Sequence, residues 1–135
     1  MAKTPITLRG TDVSMNWANA TQGVQYTACK VTTTEGNVDL AAAVTDFPLG
    51  LLQNAPKQNE AANVRVSGWS YMVAGATNLA SGDLLKVDTS GRGVIAAKAG
   101  AYVASSKYVV AIALSPSTAI GDWITVEIQK YELDI

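Results

Sequence analysis

The chain has no histidine, one cysteine, one phenylalanine, four prolines and no excess of either charge. Each shortage excludes something. Without histidine the usual general base, proton shuttle and commonest metal ligand are missing, so most hydrolase designs, a metal site and a cofactor are not expected. Cys29 has no partner for an internal disulfide and no base to lower its pKa, so it reads as a buried strand thiol rather than a nucleophile. Ten Lys and Arg against eleven Asp and Glu leave a net charge of -1. That balance argues against nucleic acid, whose binders carry a basic excess. The longest apolar run, Tyr108 to Leu114, is far short of the roughly 20 residues that span a bilayer, so no membrane partner is expected. Met1-Ala2-Lys3-Thr4-Pro5 is followed by no signal-peptide core, which predicts a soluble protein made in the cytoplasm and used without secretion.

What is present is strand signal. At 135 residues the chain is one domain, large enough to bury about 70% of its unfolded surface without staples. Apolar and β-branched residues come in short runs separated by Gly, Asn, Asp and Ser, and no long helical stripe competes. At the C-terminus Ile124, Val126 and Ile128 alternate with Trp123, Thr125, Glu127, Gln129 and Tyr131. From Asn63 to Val73, Val64, Val66 and Met72 face one way, and Arg65, Trp69, Tyr71 and Val73 the other. Tyr108 to Leu114 is apolar on both faces and is expected to be the central strand. Shorter strands are expected at Ile6–Leu8, Tyr26–Val31, Val38–Ala41, Phe47–Gln53, Leu84–Val87 and Val94–Ala97.

Two stretches follow one plan. Lys30-Val31, Thr33 and Val38 recur as Lys86-Val87, Thr89 and Val94 at a shift of 56; Gly50-Leu51 recurs as Ala111-Ile112 at 61; Val64-Arg65-Val66 recurs as Val126-Glu127-Ile128 at 62. A local echo places Gly82-Asp83 and Gly121-Asp122 before strands. The expected fold is all-β: a small β-barrel or sandwich of two similar strand-hairpin-strand halves, closed to remove exposed edges. Residues 10 to 24 are rich in Asn and Thr and fit neither copy. Residues 1–23 are therefore expected to form an extended N-terminal arm ahead of a single domain spanning 24–135, with Met15 and Trp17 as its apolar anchors.

Candidate chemistry is thin. Asp83 and Asp122 are best read as turn residues that bond their own backbone two positions on. Ser90-Gly91-Arg92-Gly93 lacks the spacing and following helix of a phosphate loop and reads as a hairpin turn. Ser67, Ser70, Ser105 and Ser106 could pair with Lys86 or Lys107 only in the weakest sense, since none lies in a nucleophile elbow. No catalytic residue is assigned. Trp17, Trp69, Tyr71, Trp123 and Tyr131 are amphipathic residues of the kind favoured at interfaces, with core packing the rival reading for each. With Met15 they form the candidate interface.

The segments Leu49-Gly50-Leu51-Leu52-Gln53-Asn54-Ala55-Pro56, Val64-Arg65-Val66-Ser67-Gly68, Ala80-Ser81-Gly82-Asp83-Leu84-Leu85-Lys86-Val87-Asp88 with Gly91-Arg92, and Ala111-Ile112-Ala113-Leu114 before Gly121-Asp122 resemble the small β-rich capsid cement, or decoration, proteins of tailed bacteriophages. The likeness covers about residues 24 to 128 and, more loosely, the opening Met1-Ala2-Lys3-Thr4. It departs in the Asn/Thr-rich stretch before Tyr26 and in the tail from Lys130. The resemblance implies a non-enzymatic virion protein on the outer capsid surface, commonly a homotrimer at local three-fold positions, clamping neighbouring major capsid proteins. The alternatives are a head-fibre or tail structural component and, further off, a small-ligand-binding barrel or enzyme.

Overall fold

The computed structural model describes residues 8–98, 101–103 and 106–133. Within them the protein is all-β: β1 (Gly10–Trp17), β2 (Ala28–Val31), β3 (Asn37–Leu40), β4 (Gly50–Leu52), β5 (Ala61–Val73), β6 (Leu84–Val87), β7 (Gly93–Lys98), β8 (Ala101–Tyr102), β9 (Tyr108–Ala113) and β10 (Trp123–Glu132). The strand order is β1-β3-β2-β4-β5-β10-β9-β6-β7-β8, with β1 also paired to β5. The first five strands thus form a closed circuit of pairings. The second circuit runs β5-β10-β9-β6-β7 and returns to the end of β5 through a parallel bridge between Ala74 and Gly93. Strand β5, the longest, belongs to both, so it rather than β9 is the hub of the fold.

The repeat read from the sequence is carried by the backbone. Trp17 N–H donates to the Glu60 carbonyl at 3.0 Å, as Ala74 N–H does to Asp122 at 2.7 Å. Asn59 N–H donates to Trp17 and Gly121 N–H to Ala74, at 2.7 and 2.8 Å. Strand β1 in the first half therefore corresponds to the second part of β5 in the other half. The changeover falls at Gly68, whose φ of 94° and close approach to the Arg9 carbonyl leave no room for a Cβ.

Each circuit encloses its own apolar cluster. Trp17, Cys29, Val38, Leu52, Ala62 and Val64 fill the first. Met72, Leu85, Val110, Ala111, Ile124, Val126 and Ile128 fill the second, which also takes in Ala28, Ala41 and Leu51 from the first half and so joins the two. Burying each large side chain contributes roughly 1.5–3 kcal/mol. The tip of the β6–β7 hairpin adds a polar link, where Ala28 N–H donates to the Gly91 carbonyl at 2.8 Å.

Residues 10–17 of the expected arm form strand β1. From Gly10 to Asn16 this strand pairs antiparallel with β5, and at Asn16 and Trp17 it pairs parallel with β3. Val13, Met15 and Trp17 turn progressively inward while Asp12, Ser14 and Asn16 face out, so the segment closes the first circuit. Residues 1–7 of the expected arm, and with them Ile6 and Thr7 of the expected strand Ile6–Leu8, lie outside the described residues; Leu8 is not in a strand.

Candidate interaction surface

The outer face shared by β5 and β10 collects three of the sequence-predicted residues. Pairing sets Trp69 opposite Glu127, Tyr71 opposite Thr125 and Val73 opposite Trp123, and residues directly opposite in an antiparallel pair project to the same side. Trp123 is 57% exposed and Trp69 39%. The Trp69 indole N–H donates to Glu127 Oε2 and the Gln129 amide to Glu127 Oε1, both at 3.2 Å, which fixes the carboxylate against the ring. Beneath the tryptophans, Ser70 is fully buried; its hydroxyl accepts from Gln53 at 3.0 Å and donates to the Tyr71 carbonyl at 2.8 Å.

Tyr26 completes the surface, and the sequence reading did not assign it there. Its ring meets Trp123 edge-to-face at 4.8 Å between centroids and Tyr71 at 5.5 Å, while Tyr71 and Trp123 lie 5.9 Å apart. Such pairs add about 0.5–1.5 kcal/mol each beyond area burial. The signal that would have found it is the repeat: Tyr26-Thr27 stands where the second half has Gly82-Asp83, a turn position rather than a strand.

The remaining candidates lie elsewhere. Tyr131 was expected on the face of Trp123, but β10 carries an extra residue between Ile128 and Tyr131, so Tyr131 pairs with Val109 and shares the side of Ile128. Burial, followed by the neighbouring Tyr102, raises its phenol above the ordinary value. Trp17 is 2% exposed and its indole N–H donates to the Thr21 carbonyl at 2.9 Å; Met15 packs against the same cluster. As placed here, both serve the first core rather than a surface.

The polar residues act on turns. Asp83 accepts from Ala80 N–H at 2.9 Å and from Lys98 Nζ at 2.8 Å. Asp122 accepts from the N–H groups of Thr118 and Ala119, both at 2.9 Å. Both carboxylates thus close the turn behind them. Asp88 does bond ahead, to the N–H groups of Ser90 and Arg92 at 2.8 and 2.9 Å, and this makes Ser90 to Gly93 the hairpin turn that was expected. Burial pushes the Cys29 thiol up to about 12, with nearby Lys130 a smaller opposing influence. A thiol so placed stays protonated and unreactive at neutral pH. Among the described residues no group of three or more Cys, Asp or Glu side chains is arranged to hold a metal ion. What the surface offers is ring faces and hydrogen-bonding groups, which suits binding.

No known family profile matches the chain, and no curated protein does. Among solved structures the chain is similar to the N base of the head fibre gp8.5 of bacteriophage phi29, with 16% identity, coverage of 93% of this chain and 100% of that chain, and a TM-score of 0.65. At that identity the likeness is one of fold, and it spans both halves.

Proposed function

We propose that the protein is a non-enzymatic structural component of a phage head, seated on the outer surface of the capsid and bound to the major capsid protein. The observation that carries this reading is the fold likeness to a head-fibre base over the whole of that chain, agreeing with the sequence resemblance to capsid decoration proteins. Contact with the capsid runs through the exposed face of Trp69, Tyr71 and Trp123, since aromatic residues with one apolar and one hydrogen-bonding end are those that anchor protein interfaces. As a decoration protein it would occupy the capsid as a homotrimer, whose three-fold ring repeats one heterologous contact.

A second reading has the same fold likeness behind it: the chain forms the base of a head fibre. Labelling virions with an antibody or gold tag and imaging them separates the two. Label spread over the head surface at many equivalent positions supports decoration, and label at the foot of projecting fibres supports the fibre base. Label on the tail alone would overturn both. Trimer assembly is checked by sedimentation of the purified protein and of protein released from heads.

A further inference from the structure

Six residues in the described structure adopt the left-handed backbone region just ahead of a strand: the hairpin-tip glycines Gly36 (φ 83°) and Gly91 (73°), and four others, Tyr26 (69°), Asn59 (66°), Gly82 (92°) and Gly121 (97°). These four are two pairs of repeat equivalents, Tyr26 with Gly82 and Asn59 with Gly121. Glycine and asparagine are the residues that tolerate this conformation, whereas a bulky side chain there is an outlier. The backbone around Tyr26 and Gly82 is otherwise the same. Each N–H donates at 2.7 Å, Tyr26 to Leu52 and Gly82 to Ala113, and the following N–H closes back on residue 24 or 80. The turn therefore works with glycine, and the second half shows it.

The surroundings point the same way. Taken pair by pair, Trp69–Glu127, Tyr71–Thr125 and Val73–Trp123 on the second half correspond to Asp12–Arg65, Ser14–Asn63 and Asn16–Ala61 on the first. Every aromatic residue of the surface has a small or polar equivalent in the other copy of the unit. The scaffold does not require these rings, and local strain retained at such a place is an indicator of function.

We propose that Tyr26 is a positioning residue of the interaction surface: its strained backbone sets its ring where it fixes Trp123 against Tyr71 in the arrangement that meets the capsid. This rests on the capsid-binding reading above. The ring does the work, so Tyr26→Phe keeps it and Tyr26→Gly or Tyr26→Ala removes it. Glycine ordinarily costs stability relative to alanine in extended structure. At residue 26 the order reverses, because glycine releases the strain that alanine retains.

The test uses the full-length protein and heads purified from phage lacking it. Near-ultraviolet circular dichroism reads the Tyr and Trp packing, thermal melting reads strain, and co-sedimentation reads binding. The expected result is that Tyr26→Phe matches the parent in all three. Tyr26→Gly and Tyr26→Ala lose the aromatic signal of the cluster and bind heads at least tenfold more weakly, with Tyr26→Gly melting above Tyr26→Ala. Tyr26→Asn, which tolerates the same backbone, is a second probe should either variant fold poorly, and it is expected to lose the aromatic signal and the binding alike. Parent-like aromatic signal and binding in Tyr26→Gly or Tyr26→Asn, or Tyr26→Ala melting above Tyr26→Gly, would overturn the proposal. If the parent itself does not bind heads, the capsid reading fails, while the spectra and melting order still decide whether Tyr26 positions Trp123.

Discussion

The β1–β5 pair and the β5–β10 pair occupy the same place in two copies of one unit, and they carry opposite chemistry. The first presents Asp12, Ser14, Asn63 and Arg65, with the Arg65 guanidinium on the Asp12 carboxylate at 2.7 Å. The second presents Trp69, Tyr71, Trp123 and Glu127. An exposed ion pair of the first kind contributes at most about 1 kcal/mol and keeps a surface solvated. Inside, the contrast is inverted. Trp17 fills the first core at the position where the second half has Ala74. One copy spends its largest side chain on packing, and the other puts its large side chains on the outside. Duplication lets each serve as the control for the other, separating what the fold needs from what the surface is for.

The largest expected effect comes from removing the strand that closes the first half. Deleting residues 1–17 uncovers Val38, Leu52, Ala62 and Val64, so the protein is expected to unfold at ordinary temperature or melt far below the parent, as followed by circular dichroism. A truncated protein melting near the parent would return β1 to the status of an arm. Next comes Trp17→Ala, which empties the first core while leaving its equivalent, Ala74, untouched. A loss of about 3–5 kcal/mol is expected in urea denaturation, in line with other buried Trp truncations. A loss under about 1 kcal/mol would show that the first half tolerates the alanine its counterpart already has.

How much of this was legible in the sequence depends on where the signal was local. The alternation in β10 from Trp123 to Ile128, the doubly covered β9 and the repeat shifts of 56, 61 and 62 all follow from side-chain pattern, and the structure keeps them. Strand β1 was legible in principle, because Val13, Met15 and Trp17 alternate with Asp12, Ser14 and Asn16. Its first five residues are exposed, however, and a polar edge strand resembles an arm. The displacement of Tyr131 was not legible, since a bulge is a matter of register with β9 that no local pattern reports. Tyr26 was legible only through the repeat, as the counterpart of Gly82, since its backbone is set by the Leu52 and Val73 partners it meets.

A smaller effect is expected from acid. Asp46 is half-buried, which by itself would raise its pKa, but the Lys30 ammonium at 2.9 Å and the N–H groups of Ala42 and Ala43 outweigh this and hold it below the ordinary carboxylate value. A depressed folded pKa stabilises above the unfolded value and is lost as pH falls through the folded one. The parent should thus lose this contribution below about pH 4, and Asp46→Asn should be less stable at pH 7 and lose less on acidification. An unchanged acid slope in Asp46→Asn would show that the pair contributes nothing. Smallest of all is the response of Cys29: a thiol reagent at pH 8 is expected to leave the folded protein unmodified and to react once it is unfolded in urea. Rapid labelling of the native protein would contradict the burial of β2.

The contrast between the two faces is tested most directly by head co-sedimentation at matched protein concentration and salt, comparing Trp69→Ala/Trp123→Ala with Asp12→Ala/Arg65→Ala. The account predicts that the aromatic double variant loses binding by tenfold or more while the polar one binds like the parent. Equal binding by both variants, or loss confined to the Asp12/Arg65 variant, would contradict it.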